Sequence, residues 1–314
     1  MKNNNWLKNS IVVCVLACIC CALWGSAFPL VKIGYNMFGI TSGATNSQIL
    51  FAGTRFTLAG FMTIIIGSCL SKRILIPARR TWPKILNLSI YQTIIQYVLF
   101  YIGLSNTSGV KASIIEGVNV FVALLVASLI FRQEKITKRK MLGCIIGFIG
   151  VILINMNGSG LNTSFKLTGE GFIFLSTVSY AISTVILKQY SKEEDTTLLS
   201  GYQFVIGGLA MMVAGFFMGG KLGHFTVQSF SVLMYLALIS AVAYTLWGIL
   251  LKHNPISKVA VYGFMTPIFG VILSALLLKE GIEGFKSIIA LILVSAGIYI
   301  VNYNREKISS RIAK

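Results

Sequence analysis

Charge is the first thing this sequence lacks. Only 11% of its 314 residues are Asp, Glu, Lys or Arg. A soluble globular domain carries about 25%. So small a share cannot cover a water-facing surface, which excludes an ordinary soluble globule and leaves lipid as the surroundings. Acid is scarcer still, with nine Asp and Glu against 27 Lys and Arg. Histidine is nearly absent: His224 and His253 both fall near loops. No nucleophile–base arrangement and no metal-ligand spacing can be assembled from this set, so neither an enzyme nor a metal or other cofactor is expected. A Walker motif is also missing, and Gly158-Ser159-Gly160 lacks the strand and helix that flank a phosphate loop. Direct ATP drive within this chain is therefore not expected. There is no long polar linker; the largest uncharged polar loop is residues 34–48.

What is present is apolar: 55% of the residues, in long runs. A bilayer span needs about 20 largely apolar residues. Ten such runs occur, at 11–33, 49–69, 85–104, 109–131, 141–156, 169–188, 198–218, 229–251, 256–278 and 285–303. They are continuous rather than alternating, so they predict membrane helices and not the strands of a barrel. All six cysteines (Cys14, Cys18, Cys20, Cys21, Cys69, Cys144) lie inside runs, where cysteine serves as a small hydrophobe. No disulfide framework follows, and Cys18, Cys20 and Cys21 have no His or carboxylate nearby to share a metal. Val15-Leu16-Ala17-Cys18 loosely resembles a lipoprotein cleavage site, but the apolar run continues past it, so a retained first helix is expected.

The basic residues are distributed unevenly. Apart from Arg55 and six lysines (Lys32, Lys111, Lys166, Lys221, Lys279, Lys286), all fall in the N-tail, the C-tail, or the loops that follow even-numbered runs. By the positive-inside rule, both termini are cytoplasmic in a multi-pass inner (plasma) membrane protein. A nucleic-acid reader would instead gather its charge on one folded face, so the +18 net charge does not point to nucleic acid.

The two halves resemble each other. Gly53-Thr54-Arg55-Phe56 lines up with Gly201-Tyr202-Gln203-Phe204, and Ala59-Gly60 with Gly207-Gly208. Trp24 stands eight residues before Lys32, as Tyr180 does before Lys188. Lys111-Ala112 resembles the Lys258–Ala260 segment, Glu134 resembles Glu280, and the segment from Gly150 to Asn155 resembles that from Gly297 to Asn302. The common order predicts an internal duplication, 11–156 and 169–303, followed by a basic tail, 304–314. Five spans per half is odd, so the second half enters the membrane from the opposite side. The expected fold is therefore an all-α integral membrane protein of ten transmembrane helices, arranged as two inverted five-helix repeats. Such repeats hold a solute near the midplane between them.

The same residues resemble the drug/metabolite transporter superfamily, specifically its EamA-type members. Trp24-Gly25-Ser26-Ala27-Phe28 is similar to that family's first-helix pattern, Arg55-Phe56 with Ala59 to its second, and the segments Thr266–Phe269 and Leu278–Glu280 to its ninth. The resemblance spans residues 11–303. Where the family often has a proline in the fourth helix, Asn119, Val120 and Phe121 stand here, so a hinge is expected only at Pro267. The resemblance implies a central cavity and secondary transport, most often export of amino acids or related metabolites.

Glu116 is the one acidic residue placed within a span, roughly 10 Å from the end of the fourth run at 1.5 Å per residue. A carboxylate in hydrocarbon must face a cavity or a partner. It can bind a substrate amine, carry a coupling proton, or pair with Arg55, which sits at a similar depth; Arg55 otherwise snorkels to the interface. Polar and aromatic side chains form the second set of candidates. They are Trp24, Gln92, Gln96, Tyr97, Asn119, Tyr180, Tyr202, Gln203, Tyr244, Trp247 and Tyr262. Such groups stack on flat or cationic solutes and donate hydrogen bonds. Tyr91, Tyr101, Tyr235 and Tyr299 are equally suited to anchoring at the interface. Gly143, Gly147 and Gly150 are read as a close-packing seam.

A secondary transporter of a small polar or zwitterionic metabolite, such as an amino acid or related amine, is expected. It would work by alternating access, chiefly as an exporter, with proton coupling and with lipid around a monomer or homodimer. Two alternatives stay open: an exporter of cationic aromatic compounds, and a non-transporting membrane receptor or scaffold.

Overall fold

A computed structural model describes residues 4–41, 43–106, 115–155, 166–223, 225–278 and 284–303. Lys111, His224, Glu280 and the tail 304–314 lie outside the described residues. Within them there is helix and no strand. The reason is that hydrocarbon offers no partner for backbone N–H and C=O groups, so each segment must satisfy its own.

Helix α1 spans Ser10–Met37 and α2 Thr45–Ser71. Helices α3 (Trp82–Ser89) and α4 (Gln96–Asn106) are joined by a π turn, Ile90–Ile95. Helix α5 (Asn119–Leu125) continues into a second π turn, Val126–Ile130, and α6 spans Lys138–Asn155. A third π turn, Leu167–Gly171, opens α7 (Phe172–Tyr190). Helices α8 (Thr196–Phe217) and α9 (Val227–His253) follow. Helix α10 (Ile256–Ala260) passes through a 3-10 turn, Val261–Phe264, into α11 (Met265–Leu278), and α12 spans Gly284–Asn302.

Among the described residues, six stretches are long and apolar enough to cross a membrane: Ser10–Met37, Thr45–Ser71, Arg79–Leu104, Leu167–Tyr190, Thr196–Phe217 and Val227–His253. Ile115–Ile130 and Ile288–Asn302 are shorter apolar helices. Polar residues at the starts close free N–H groups, as expected of caps. Asn9 caps α1, Asp195 caps α8, and Thr226 with Ser229 forms a capping box on α9. Large apolar side chains face outward along the bundle, among them Phe61, Ile65, Phe216, Phe217, Ile288 and Ile292. A soluble surface rarely carries so much exposed apolar area, whereas lipid accepts it.

Small residues decide how the helices pack. Helix α2 lies along α8, and glycine recurs every seventh residue on both: Gly53 faces Gly208 and Gly60 faces Gly201, while Gly67 meets Thr197 and Gly215 meets Leu50. A Cβ at Gly60 would stand 2.6 Å from the backbone N of Val205 and 2.7 Å from the carbonyl O of Gly201. Partners of Gly53 lie at 208–212 and those of Gly67 at 197, so the two helices run antiparallel. Helix α6 meets α12 in the same manner: Gly143 faces Gly297 and Val301, while Gly150 faces Ala290 and Val294. The glycines of α6 are thus a packing seam, with Gly147 covered by the Phe264 ring. Helix α1 packs on α9 and α11, and α7 packs on α4 and α5.

The basic loops meet at one end of the bundle. There Glu134 accepts hydrogen bonds from the Ser257 hydroxyl at 2.5 Å, from Lys140 Nζ at 3.0 Å, and from the backbone N–H groups of Ile256 and Ser257. It therefore caps α10 from the α5–α6 loop. Lys188 donates to the Leu251 carbonyl at 3.1 Å and to that of Asn254, satisfying the free end of α9. Asn254 donates to Leu7 O, Lys258 to Lys8 O, and Lys84 pairs with Glu193 and Glu194. At the opposite end, Asn46 reaches Met218 O and Gly223 N–H reaches Phe38 O.

Two outcomes are expected. Gly60→Val overpacks the α2–α8 seam and lowers stability by about 1–3 kcal/mol, read as a drop in melting temperature in detergent; an unchanged melting temperature refutes the seam. Burial pushes the Glu134 carboxyl up, but the bonds from Ser257 and Lys140 outweigh it and hold the group below its ordinary value. A depressed folded pKa gives stability that is present above the unfolded value, about 4.3, and lost as pH falls through the folded one. The stability gap between wild type and Glu134→Gln is thus constant from pH 8 to about 5 and closes below about 4 in pH-resolved unfolding.

Candidate functional site

Six helices bring aromatic residues together. Trp24 from α1 meets Tyr244 and Trp247 of α9 edge-on, with ring centroids 5.1 and 5.0 Å apart. Tyr180 from α7 approaches Tyr244 at 6.5 Å. Tyr97 from α4 shares a 2.5 Å hydroxyl–hydroxyl hydrogen bond with Tyr244. Phe56 and Phe204 form one wall: they stack at 5.3 Å, and each touches one tyrosine of the pair, Tyr97 at 4.3 Å and Tyr244 at 5.0 Å. These contacts exist because the glycine seam lets α2 and α8 approach closely enough for their phenylalanines to stack.

Amides border this cluster. The π turn Ile90–Ile95 carries Gln92 and Thr93, and Thr93 Oγ1 donates to Gln203 Oε1 at 2.6 Å. The turn frees the Tyr91 carbonyl to accept from Ser179 at 2.6 Å. It also adds an extra residue between Gln92 and Gln96, so a simple α-helical register does not hold across them. Buried atoms with no partner among the described residues include Trp24 Nε1, Gln92 Oε1, Gln96 Oε1, Gln203 Nε2 and Asn119 Oδ1. Each such atom costs about 1–3 kcal/mol until water or a solute meets it. Similar atoms occur elsewhere, at Ser128 and Gln133 for example, so the signal is their concentration on candidate residues.

Glu116 lies one turn before Asn119 and makes no ion pair or hydrogen bond among the described residues. Helix α5, which follows Glu116, packs on α7, and the carboxyl is within electrostatic reach of Tyr180 on that helix. An Arg55–Glu116 pair is not formed. Arg55 turns instead to α9, donating from Nε to Leu236 O at 3.2 Å and from Nη2 to Ser240 Oγ at 2.9 Å. It is buried, so it does not snorkel.

The remaining candidates fall elsewhere. Tyr202 donates to Leu75 O at 3.0 Å and meets Trp82 edge-on, near the basic end. Tyr262 is buried in the 3-10 turn, where its carbonyl accepts from the Cys21 thiol at 3.2 Å. Pro267 is the third residue of α11, past the 3-10 turn, so the departure from α geometry precedes it. Pro29 is the proline inside a long helix. Tyr101 is buried beside Tyr97, whereas Tyr235 and Tyr299 are exposed. Phe56, Thr93, Phe204 and Ser240 escaped the sequence reading as site residues. The matched tetrapeptides ending in Phe56 and Phe204 carried a usable signal for two of them. A surface groove lined by Ile136, Met141, Leu142 and Ile145 lies on the outer face of α6 and has few polar groups to hold a solute.

The model of the EamA-like transporter family matches residues 11–156 and 167–303. An uncharacterized transporter of Bacillus subtilis, YvbV, is 26% identical over 284 residues, covering 89% of this chain and 88% of that protein. An uncharacterized transporter of Archaeoglobus fulgidus is 27% identical over 286 residues, covering 88% and 94%. A crystal structure 14% identical superposes with a TM-score of 0.73 over 96% of this chain and 99% of the other, a likeness of fold.

The Tyr97–Tyr244 bond gives a test of the cluster. Tyr97→Phe and Tyr244→Phe each cost about 1 kcal/mol of stability, and the double variant costs less than their sum by about 0.5–1 kcal/mol. Strict additivity in denaturation of the four proteins means the hydroxyls do not meet.

Proposed function

The chain belongs to the EamA-like transporter family, and we propose that it is a ten-span secondary transporter of a small polar or zwitterionic metabolite, such as an amino acid or related amine. Its two segments, 11–156 and 169–303, act as inverted five-helix halves. Three observations support the inversion. The pairing pattern maps onto itself when each span is exchanged for the one five places on: α1 on α9 and α11 corresponds to α7 on α4 and α5. The helices matched across the halves, α2 with α8 and α6 with α12, meet antiparallel. Phe56 and Phe204, which end the matched tetrapeptides, stack on each other.

The carrying observation for the solute is a carboxyl beside a polar aromatic cluster near mid-helix. A solute amine pairs with Glu116, its apolar part lies against Trp24, Tyr180 and Tyr244, and the orphan amide atoms take its remaining polar groups. Two related halves open to either side at similar energy, which is the basis of alternating access. The basic end faces the cytoplasm by the positive-inside rule, and the solute is exported. Glu116 takes a proton when the amine leaves, which couples solute to proton exchange.

A second reading draws on the edge-on rings of Trp24, Tyr244 and Trp247. Aromatic rings hold flat cations well, so a cationic aromatic compound fits the same cluster. Flux into reconstituted vesicles under a proton gradient decides between them. Amino acids compete in the first reading and quaternary amines in the second. Glu116→Gln abolishes gradient-driven flux while leaving the melting temperature within a few degrees. Wild-type flux from that variant removes Glu116 from the mechanism.

A further inference from the structure

We infer that Arg55 is an anion seat, holding the carboxylate of the transported solute one helical turn from the aromatic cluster. The inference rests on the transport reading above and narrows it to solutes that carry an acid group.

Arg55 is 6% exposed, midway along a 27-residue helix. A guanidinium is always charged, and a buried charge is expensive unless an opposite charge meets it. No carboxylate does so among the described residues. It donates to two neutral oxygens, Leu236 O and Ser240 Oγ, and the Tyr101 hydroxyl lies within hydrogen-bond reach of the guanidinium as well. At least two of its five N–H donors are thereby engaged. The other surroundings are neutral as well: the Phe56 ring lies 5.3 Å from Cζ, and the hydroxyls of Tyr97, Tyr101 and Tyr244 are within electrostatic reach. These groups soften the charge without cancelling it.

The position matched in the second half makes the same kind of cross-helix tie without a charge. Gln203 stands where Arg55 stands in the tetrapeptides. It too reaches across to a neighbouring segment, through Thr93 at 2.6 Å. A neutral amide therefore suffices to tie the helices, and the guanidinium of Arg55 adds a charge that such a tie does not need. Ser240 and Tyr244 are four residues apart on α9 and share a face. Arg55 thus bonds α9 one turn from Tyr244, with its guanidinium against the Phe56 ring of the wall. With Glu116 beside Tyr180, the cluster has a cation at one place and a carboxyl at another. That is the complement of a zwitterion, and the planar fork of arginine matches a carboxylate bidentately.

The test compares acids with amides. Purified full-length protein is titrated with the standard amino acids and with the matching amino-acid amides, which keep the amine and side chain but lose the anion. Binding is followed by thermal shift. Wild type is expected to prefer at least one acid to its amide by about tenfold or more. Arg55→Gln brings that ratio to about one, whereas a clamp-only role lowers both affinities and keeps the ratio. If Arg55→Gln does not fold, Arg55→Lys decides: its single-point ammonium lowers the ratio several-fold, and an unchanged ratio overturns the inference. Wild type that binds amides as tightly as acids also overturns it, while leaving the amine-transport reading intact. Binding of neither class removes both.

Discussion

The close approach of α2 and α8 is the constraint from which the middle of the molecule follows. Between helices in lipid there is no hydrophobic drive, so association depends on contact and on shape. Glycine every seventh residue on both helices removes the side chains that would hold them apart. Backbone then meets backbone, with Gly60 against Gly201 and Gly53 against Gly208. That contact fixes the rotation of both helices about their axes. Phe56 and Phe204 are brought face to face as a result. Arg55 and Gln203, one residue earlier in each tetrapeptide, are sent outward to opposite neighbours, α9 and the π turn before α4. A bulky residue at any of these glycines would disturb the seam and, through it, the tyrosine pair that the phenylalanines support.

The two ends of the bundle are built on different chemistry. At the basic end, side chains close the backbone: Glu134 caps α10, and Lys188 closes α9. Both ties join segments far apart in sequence. At the opposite end the contacts are smaller, such as Asn46 with Met218 O. The lysine–glutamate pairs around Lys84 are exposed in part and screened by solvent, so they add little. The buried Glu134 network binds three segments at once and is therefore the stronger tie.

Much of the architecture was legible because lipid imposes simple rules. An apolar run must be helical, and the helical segments follow the runs to within several residues. The first helix continues past the apolar run, to Met37, because a helix can carry on beyond its apolar stretch into residues such as Tyr35 and Asn36. The glycines of α6 were readable as a seam because spacing alone places them on one face. The site was legible in its residue types but not in its pairings. Spacing says that Tyr97 and Tyr101 share a face; it does not say that Tyr97 bonds Tyr244, 147 residues away. The π turn at Ile90–Ile95 has no residue signature in the chain, so the register of Gln92 relative to Gln96 was hidden. Arg55 and Glu116 were singled out by their rarity, but depth along two helices gave no information on rotation, and their side chains go different ways.

The mismatch between Arg55 and Gln203 has an electrical consequence. A scaffold made of two equivalent inverted halves would be blind to membrane voltage. A fixed positive charge on one half alone makes it lopsided. Each elementary charge carried through the full membrane potential is worth about 2.3 kcal/mol per 100 mV. If the proposed halves rock, moving α2 by even a fraction of the bilayer thickness would tilt the balance between inward- and outward-open forms in a polarised cell. An acid group seated on the guanidinium would cancel that tilt, so the empty and loaded carriers would feel the resting potential differently.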